Sequence, residues 1–168
     1  AKMNKPLWLA MGDSFSAGHS DSYSTVDSTA SQGGVAWETI NFKTNMLGYA
    51  YEHDTTSFSY INHGIGGSTA KQWQTTGSGS LDYVTTFALN LSPKNVLVSL
   101  GFNDIAGGDT WTEIEGYLLN ITTALKGAGI TVVFIPVLHL NTGVAATELI
   151  IRQTNKSLEK FCKDNNVI

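Results

Sequence analysis

The chain has 168 residues, enough for one domain of ordinary size with a sizeable core. Its charged content is 14%, its formal net charge is -4, and Arg152 is its one arginine, which excludes a phosphate-tracking nucleic-acid binder. Cys162 is the sole cysteine, which excludes an internal disulfide or a thiolate metal cluster, and no apolar run approaches the ~20 residues of a membrane helix.

Taken in order, residues 6–11 are a short continuous apolar run, the pattern of a strand buried on both faces. Residues 19–34 are rich in Ser, Asp, Thr and Gly and read as a long surface loop. Residues 37–51 carry apolar side chains at helical spacing. A second strand is expected over 58–62, ended by His63-Gly64-Ile65-Gly66-Gly67-Ser68-Thr69, then a helical turn over 70–73 and a Gly/Ser loop over 75–80. Residues 81–91 read as a helix stopped by Ser92-Pro93. A third strand over 95–100 ends in Gly101-Phe102-Asn103-Asp104, and 105–110 reads as a Gly-rich loop. Ile114, Leu118, Ile121 and Leu125 mark an amphipathic helix over 111–126, closed by Gly127 and Gly129. The strongest strand signal covers 130–138, a last helix covers 147–163, and Val167-Ile168 reads as the start of a fifth strand.

Strands alternating with helices predict right-handed crossovers and a parallel sheet covered on both faces. Sites in such sheets lie beyond the C-terminal strand ends. Ser14, Gly67 and Asn103 each follow one of the first three strands, so they are expected on one rim. Ser14, in Gly12-Asp13-Ser14, presents a hydroxyl where free backbone N–H groups can stabilise an oxyanion. Its plain structural alternative is a helix cap. Gly64, Gly66 and Gly67 let backbone approach a ligand, or simply make a turn. Asn103 offers a neutral amide to an oxyanion, or closes an Asx turn.

Gly12-Asp13-Ser14, Gly67-Ser68-Thr69 and Gly101-Phe102-Asn103-Asp104, in this order and at these strand ends, resemble the SGNH (GDSL-like) hydrolase family over the whole chain. The resemblance implies a flavodoxin-like three-layer α/β/α sandwich with parallel sheet order 2-1-3-4-5. It implies Ser14 as nucleophile and an oxyanion hole made of the Ser14 and Gly67 N–H groups and the Asn103 amide. It implies an esterase acting on a small-molecule or carbohydrate ester with no cofactor.

The family's fourth motif, Asp-x-x-His after strand five, does not occur in these 168 residues. By the family layout the C-terminal part of the fold is then incomplete, and the base lies on a segment beyond Ile168 or on a complementing chain or oligomer partner. His63 and His139 are the internal candidates for a pocket residue or substitute base; His19 and His53 read as surface residues. No two histidines have metal-ligand spacing, so no catalytic metal is expected. Asp13 and Asp104 are expected to hold backbone in place. Trp73 and Trp111 stack on a ligand or pack in the core, and the sequons at Asn120 and Asn155 fall on helices. The alternative function is a glycan- or ligand-binding module derived from a hydrolase. The weakly charged surface points to a secreted or virion-associated protein.

Overall fold

The structure is a computed structural model and describes residues 5–13, 57–137 and 145–168. The expected loop over 19–34 and helix over 37–51 lie outside the described residues.

Four parallel strands form one sheet: β1 (Leu7–Gly12), β2 (Ser59–Gly64), β3 (Asn95–Ser99) and β4 (Thr131–Phe134), in the order β2-β1-β3-β4. β1 is central, with Leu9 between Ile61 and Val96 and Met11 between His63 and Val98. Ile168 continues the series, since its N–H donates to Val132 O at 3.2 Å and its carbonyl accepts from Phe134 N–H at 2.7 Å. Those are the two bonds of a parallel bridge, placed where a fifth strand is expected.

Alternation along the strands divides the core. Leu9, Met11, Val96, Val98, Val132 and Phe134 face a cluster that includes Trp73, Ile114, Leu118, Leu158 and Phe161. On the other side, buried Ala10 and Leu97 pack with Trp8, Tyr60, Val133 and Ile135. The helices joining β2 to β3, β3 to β4 and β4 to Ile168 all contribute to the first cluster. Right-handed crossovers that step in one direction across a sheet place their helices on one face. This is the expected α/β architecture with a parallel sheet.

The helices follow from local chemistry. α1 (Ala70–Trp73) and α3 (Trp111–Gly127) each open with a capping box, Thr69 with Gln72 and Thr110 with Glu113. On α3, Ile114, Leu118, Ile121 and Leu125 are fully or almost fully buried, each contributing about 1.5–3 kcal/mol through burial. α2 (Phe102–Gly107) and α4 (Ala145–Asp164) complete the set. Among the described residues no helix is long and apolar enough to cross a membrane.

Beyond shifts of one or two residues at other ends, four segments differ from expectation. β2 runs on to Gly64, because His63 and Gly64 pair with Met11 and Gly12. The expected helix over 81–91 is a π-helical segment, Val84–Leu89, in which Asn90 N–H reaches back to Thr85 O at 3.2 Å. The expected loop over 105–110 begins inside α2, which the glycines at 107 and 108 had concealed. β4 ends at Phe134, four residues early, where Pro136 has no N–H for the ladder.

Candidate active site

Because β1 lies between β2 and β3, the turn after β2 and the end of β3 both close on its end. The Gly12 carbonyl accepts the Ile65 N–H at 2.8 Å and the Ser68 hydroxyl at 3.1 Å. The Asp13 N–H donates to Ser99 O at 3.1 Å, which ties the same point to β3. The chain therefore leaves β1 from a spot fixed on both sides.

Ser68 is the junction of the rim. It is buried, and its hydroxyl also accepts the Trp73 indole N–H at 2.8 Å. Its carbonyl accepts from Asn103 Nδ2 at 2.9 Å. The next residue, Asp104, reaches the same region from α2. Its two carboxylate oxygens accept the Ala70 N–H at 2.8 Å and the Lys71 N–H at 3.2 Å. Both are charge-assisted bonds to N–H groups at a helix start, which otherwise have no partner. Asp104 is only 1% exposed, and burial pushes its carboxyl above the ordinary range while the backbone N–H bonds pull it down. The second and third motifs are thus fastened together by adjacent residues, and Asp104 has the backbone-holding role expected of it.

Gly67 is exposed with φ +76°, a left-handed conformation that favours glycine. Among the described residues a side chain there would meet no atom within 4 Å, so the strain shown is conformational. Among the described residues none accepts a hydrogen bond from the Gly67 N–H. Asn103, half-buried on the first turn of α2, uses one amide hydrogen on Ser68. The Ser68 carbonyl therefore brings Asn103 within one residue of Gly67.

His63 goes elsewhere. Its ring stacks on Phe87 at a centroid distance of 4.9 Å, and Phe87 lies 5.6 Å from Tyr83 and 6.1 Å from Trp73. Nδ1 is buried without a hydrogen-bond partner among the described residues, and burial lowers the imidazole below its usual value. The ring is a neutral member of an aromatic cluster. Ser14, His19, His53 and His139 lie outside the described residues. Trp73 is fully buried and Trp111 packs against the core, so both take the packing role.

Three polar residues had no assigned role in the sequence reading. Ser68 lay inside a quoted motif, but a junction between turns leaves no local signature. Asn120 accepts from the Thr75 N–H at 2.8 Å and the Thr75 hydroxyl at 2.9 Å. Asn155 makes a pair of bonds to Val137. Both asparagines open sequons, and both amides are engaged in holding chain segments together.

A parallel α/β sheet whose glycine-rich turns gather beyond the ends of its central strands has the architecture of a rim-site enzyme. The chain belongs to the GDSL-like Lipase/Acylhydrolase family, which it matches over residues 10–168. No curated protein matches it. Among solved structures it is similar to Axe2, an acetylxylan esterase from Geobacillus stearothermophilus, with TM-score 0.71 and 12% identity over 99% of this chain and 76% of that one. It is similar to the psychrotrophic esterase EstA from Pseudoalteromonas sp., with TM-score 0.64 and 17% identity over 97% of this chain and 75% of that one. A G-D-S-L family lipolytic protein from Veillonella parvula gives TM-score 0.67 and 15% identity over 96% and 74%. The fold is that of these hydrolases.

Proposed function

We propose that the chain is a serine esterase that removes a small acyl group from a carbohydrate or other small alcohol. The observation that carries the reading is the bond from Asn103 Nδ2 to Ser68 O, which brings the amide within one residue of exposed Gly67. Two neutral donors from different strands at one rim suit an oxyanion. Ser14 follows Asp13, whose N–H is tied to Ser99. Its hydroxyl oxygen attacks the ester carbonyl, and its proton passes to a histidine base. The N–H groups of Ser14 and Gly67 and the Asn103 amide stabilise the oxyanion. The carbon–oxygen bond to the alcohol then breaks, the alcohol leaves with the proton, and water hydrolyses the acyl-serine.

The base is proposed to be the histidine of an Asp-x-x-His on sequence that follows Ile168. In support, Ile168 bonds in parallel to β4, so a strand continued from it runs toward the rim that holds Gly67 and Asn103. His63 is a poor substitute, because its half-buried ring, with Nδ1 buried, is held in the aromatic cluster. His139 is the remaining internal alternative.

The test is hydrolysis of p-nitrophenyl acetate and butyrate by these 168 residues and by the longer product of the same reading frame. The expected result is turnover by the longer product that Ser14→Ala abolishes and Asn103→Ala lowers about 10²–10³-fold. Turnover that Ser14→Ala leaves unchanged overturns the reading. An inert longer product that still binds acetylated oligosaccharide replaces it with the binding-module alternative.

A further inference from the structure

β4 ends at Phe134, and its inner ladder reaches one residue further, with the Ile135 N–H donating to Val98 O at 2.8 Å. Pro136 then has no N–H to give. Val137 lies past the ladder, yet its backbone is fully engaged. Its N–H donates to Asn155 Oδ1 at 2.8 Å and its carbonyl accepts from Asn155 Nδ2 at 2.9 Å. One side-chain amide on α4 thus does what a residue of a neighbouring strand would do. The side chain of Val137 is buried. Its Cγ2 lies 3.4 Å from where a Cβ on Gly101 would stand, and Ile114 Cγ2 lies 3.9 Å from the same point. Gly101, at φ +114°, is the N-cap from which α2 begins, and Asn103 is the second residue of α2.

We propose that Asn155 is a positioning residue for the Asn103 amide. Its clamp on Val137 sets the wall against which Gly101 rests, and Gly101 sets the start of α2. Misplacing that wall shifts Asn103 relative to Gly67 without touching either. The inference rests on the reading of Asn103 as an oxyanion donor.

The test uses Asn155→Ala, Asn155→Asp and, as a control, Asn120→Ala. Asn155→Asp keeps the side chain's shape but replaces the donor to Val137 O with an oxygen. Asn120 makes a similar bracket to Thr75, with no contact to Gly101. In 15N-labelled protein of these 168 residues, both Asn155 variants are expected to move the Asn103 side-chain amide and Gly101 N–H resonances, and Asn120→Ala to leave them in place. In whichever chain turns over p-nitrophenyl acetate, the Asn155 variants are expected to lose about tenfold in kcat with KM nearly unchanged. Asn103 resonances and kcat that stay put in Asn155→Asp overturn the inference while Asn103→Ala still costs activity. An active enzyme indifferent to Asn103→Ala removes the oxyanion reading and this inference with it.

Discussion

Asp104, buried on α2, and His63, half-buried near the end of β2, are both titratable, and their partners separate their roles. Asp104 satisfies two backbone N–H groups at the start of α1, so Asp104→Ala leaves both without an acceptor. The expected loss is about 2–3 kcal/mol, read as a lower midpoint in urea with an unchanged slope. Asp104→Asn, which keeps one acceptor oxygen, is expected to lose less. His63 has its Nδ1 buried without a partner among the described residues, and burial depresses its folded-state pKa. The unfolded chain therefore takes up the proton first as pH falls. Stability is full above the usual imidazole value of about 6.5 and declines below it until the folded value is passed. His63→Phe keeps a ring to stack on Phe87 and has no proton to bind. The fall in Tm between pH 7.5 and pH 5 is expected to be smaller in this variant, and an equal fall in both proteins would exclude His63 as its source.

At the scale of elements, glycine carries opposite meanings at two positions. Gly101 has φ +114°, so Gly101→Ala strains the backbone at the start of α2, while the added Cβ would only reach van der Waals contact with Val137. About 1–3 kcal/mol of destabilisation is expected by thermal denaturation. Gly116 sits within α3, where an added Cβ meets nothing within 4 Å among the described residues. Gly116→Ala is expected to stabilise by about 0.5–1 kcal/mol in the same measurement. Elements with strong periodicity were legible in the sequence: the buried stripe Ile114, Leu118, Ile121, Leu125 gave α3, and the continuous apolar run gave β1. The meeting of the Gly67 and Asn103 turns followed from their placement at the ends of strands in a parallel sheet. The legible part stopped where two neighbouring signals compete. In α2 the left-handed start at Gly101 and the contacts of Asp104 hold a helix that Gly107 and Gly108 disguise as a loop. In 84–89 the apolar spacing suits any helix, and a one-residue change of hydrogen-bond register leaves no mark on it. The Ser68 junction and the Asn155 clamp are contacts across 35 and 18 residues, and single-chain periodicity carries no information about such pairs.

For the whole molecule, β1 and β3 are the inner strands of the sheet, and its growth runs from β3 through β4 toward Ile168. β4 is therefore bonded on both sides: Ile135 N–H to Val98 O on the inside, Phe134 N–H to Ile168 O on the outside. Val167 also packs against the main core cluster, and its N–H caps α4 by donating to Cys162 O at 3.0 Å. Removing Val167 and Ile168 takes away three backbone hydrogen bonds and uncovers the outer edge of β4. An uncovered parallel edge is a template for another chain. Two linked outcomes are expected for a protein ending at Asn166. Its stability falls by about 1–3 kcal/mol, and the Phe134 amide exchanges with deuterium far faster than the Val98 amide on the inner strand. Its elution in size-exclusion chromatography also becomes concentration-dependent, because a second copy can take the place of Ile168. Unchanged Phe134 exchange in that protein would mean that the outer bonds do not hold the edge, and the order of growth assigned to the sheet would end at β4.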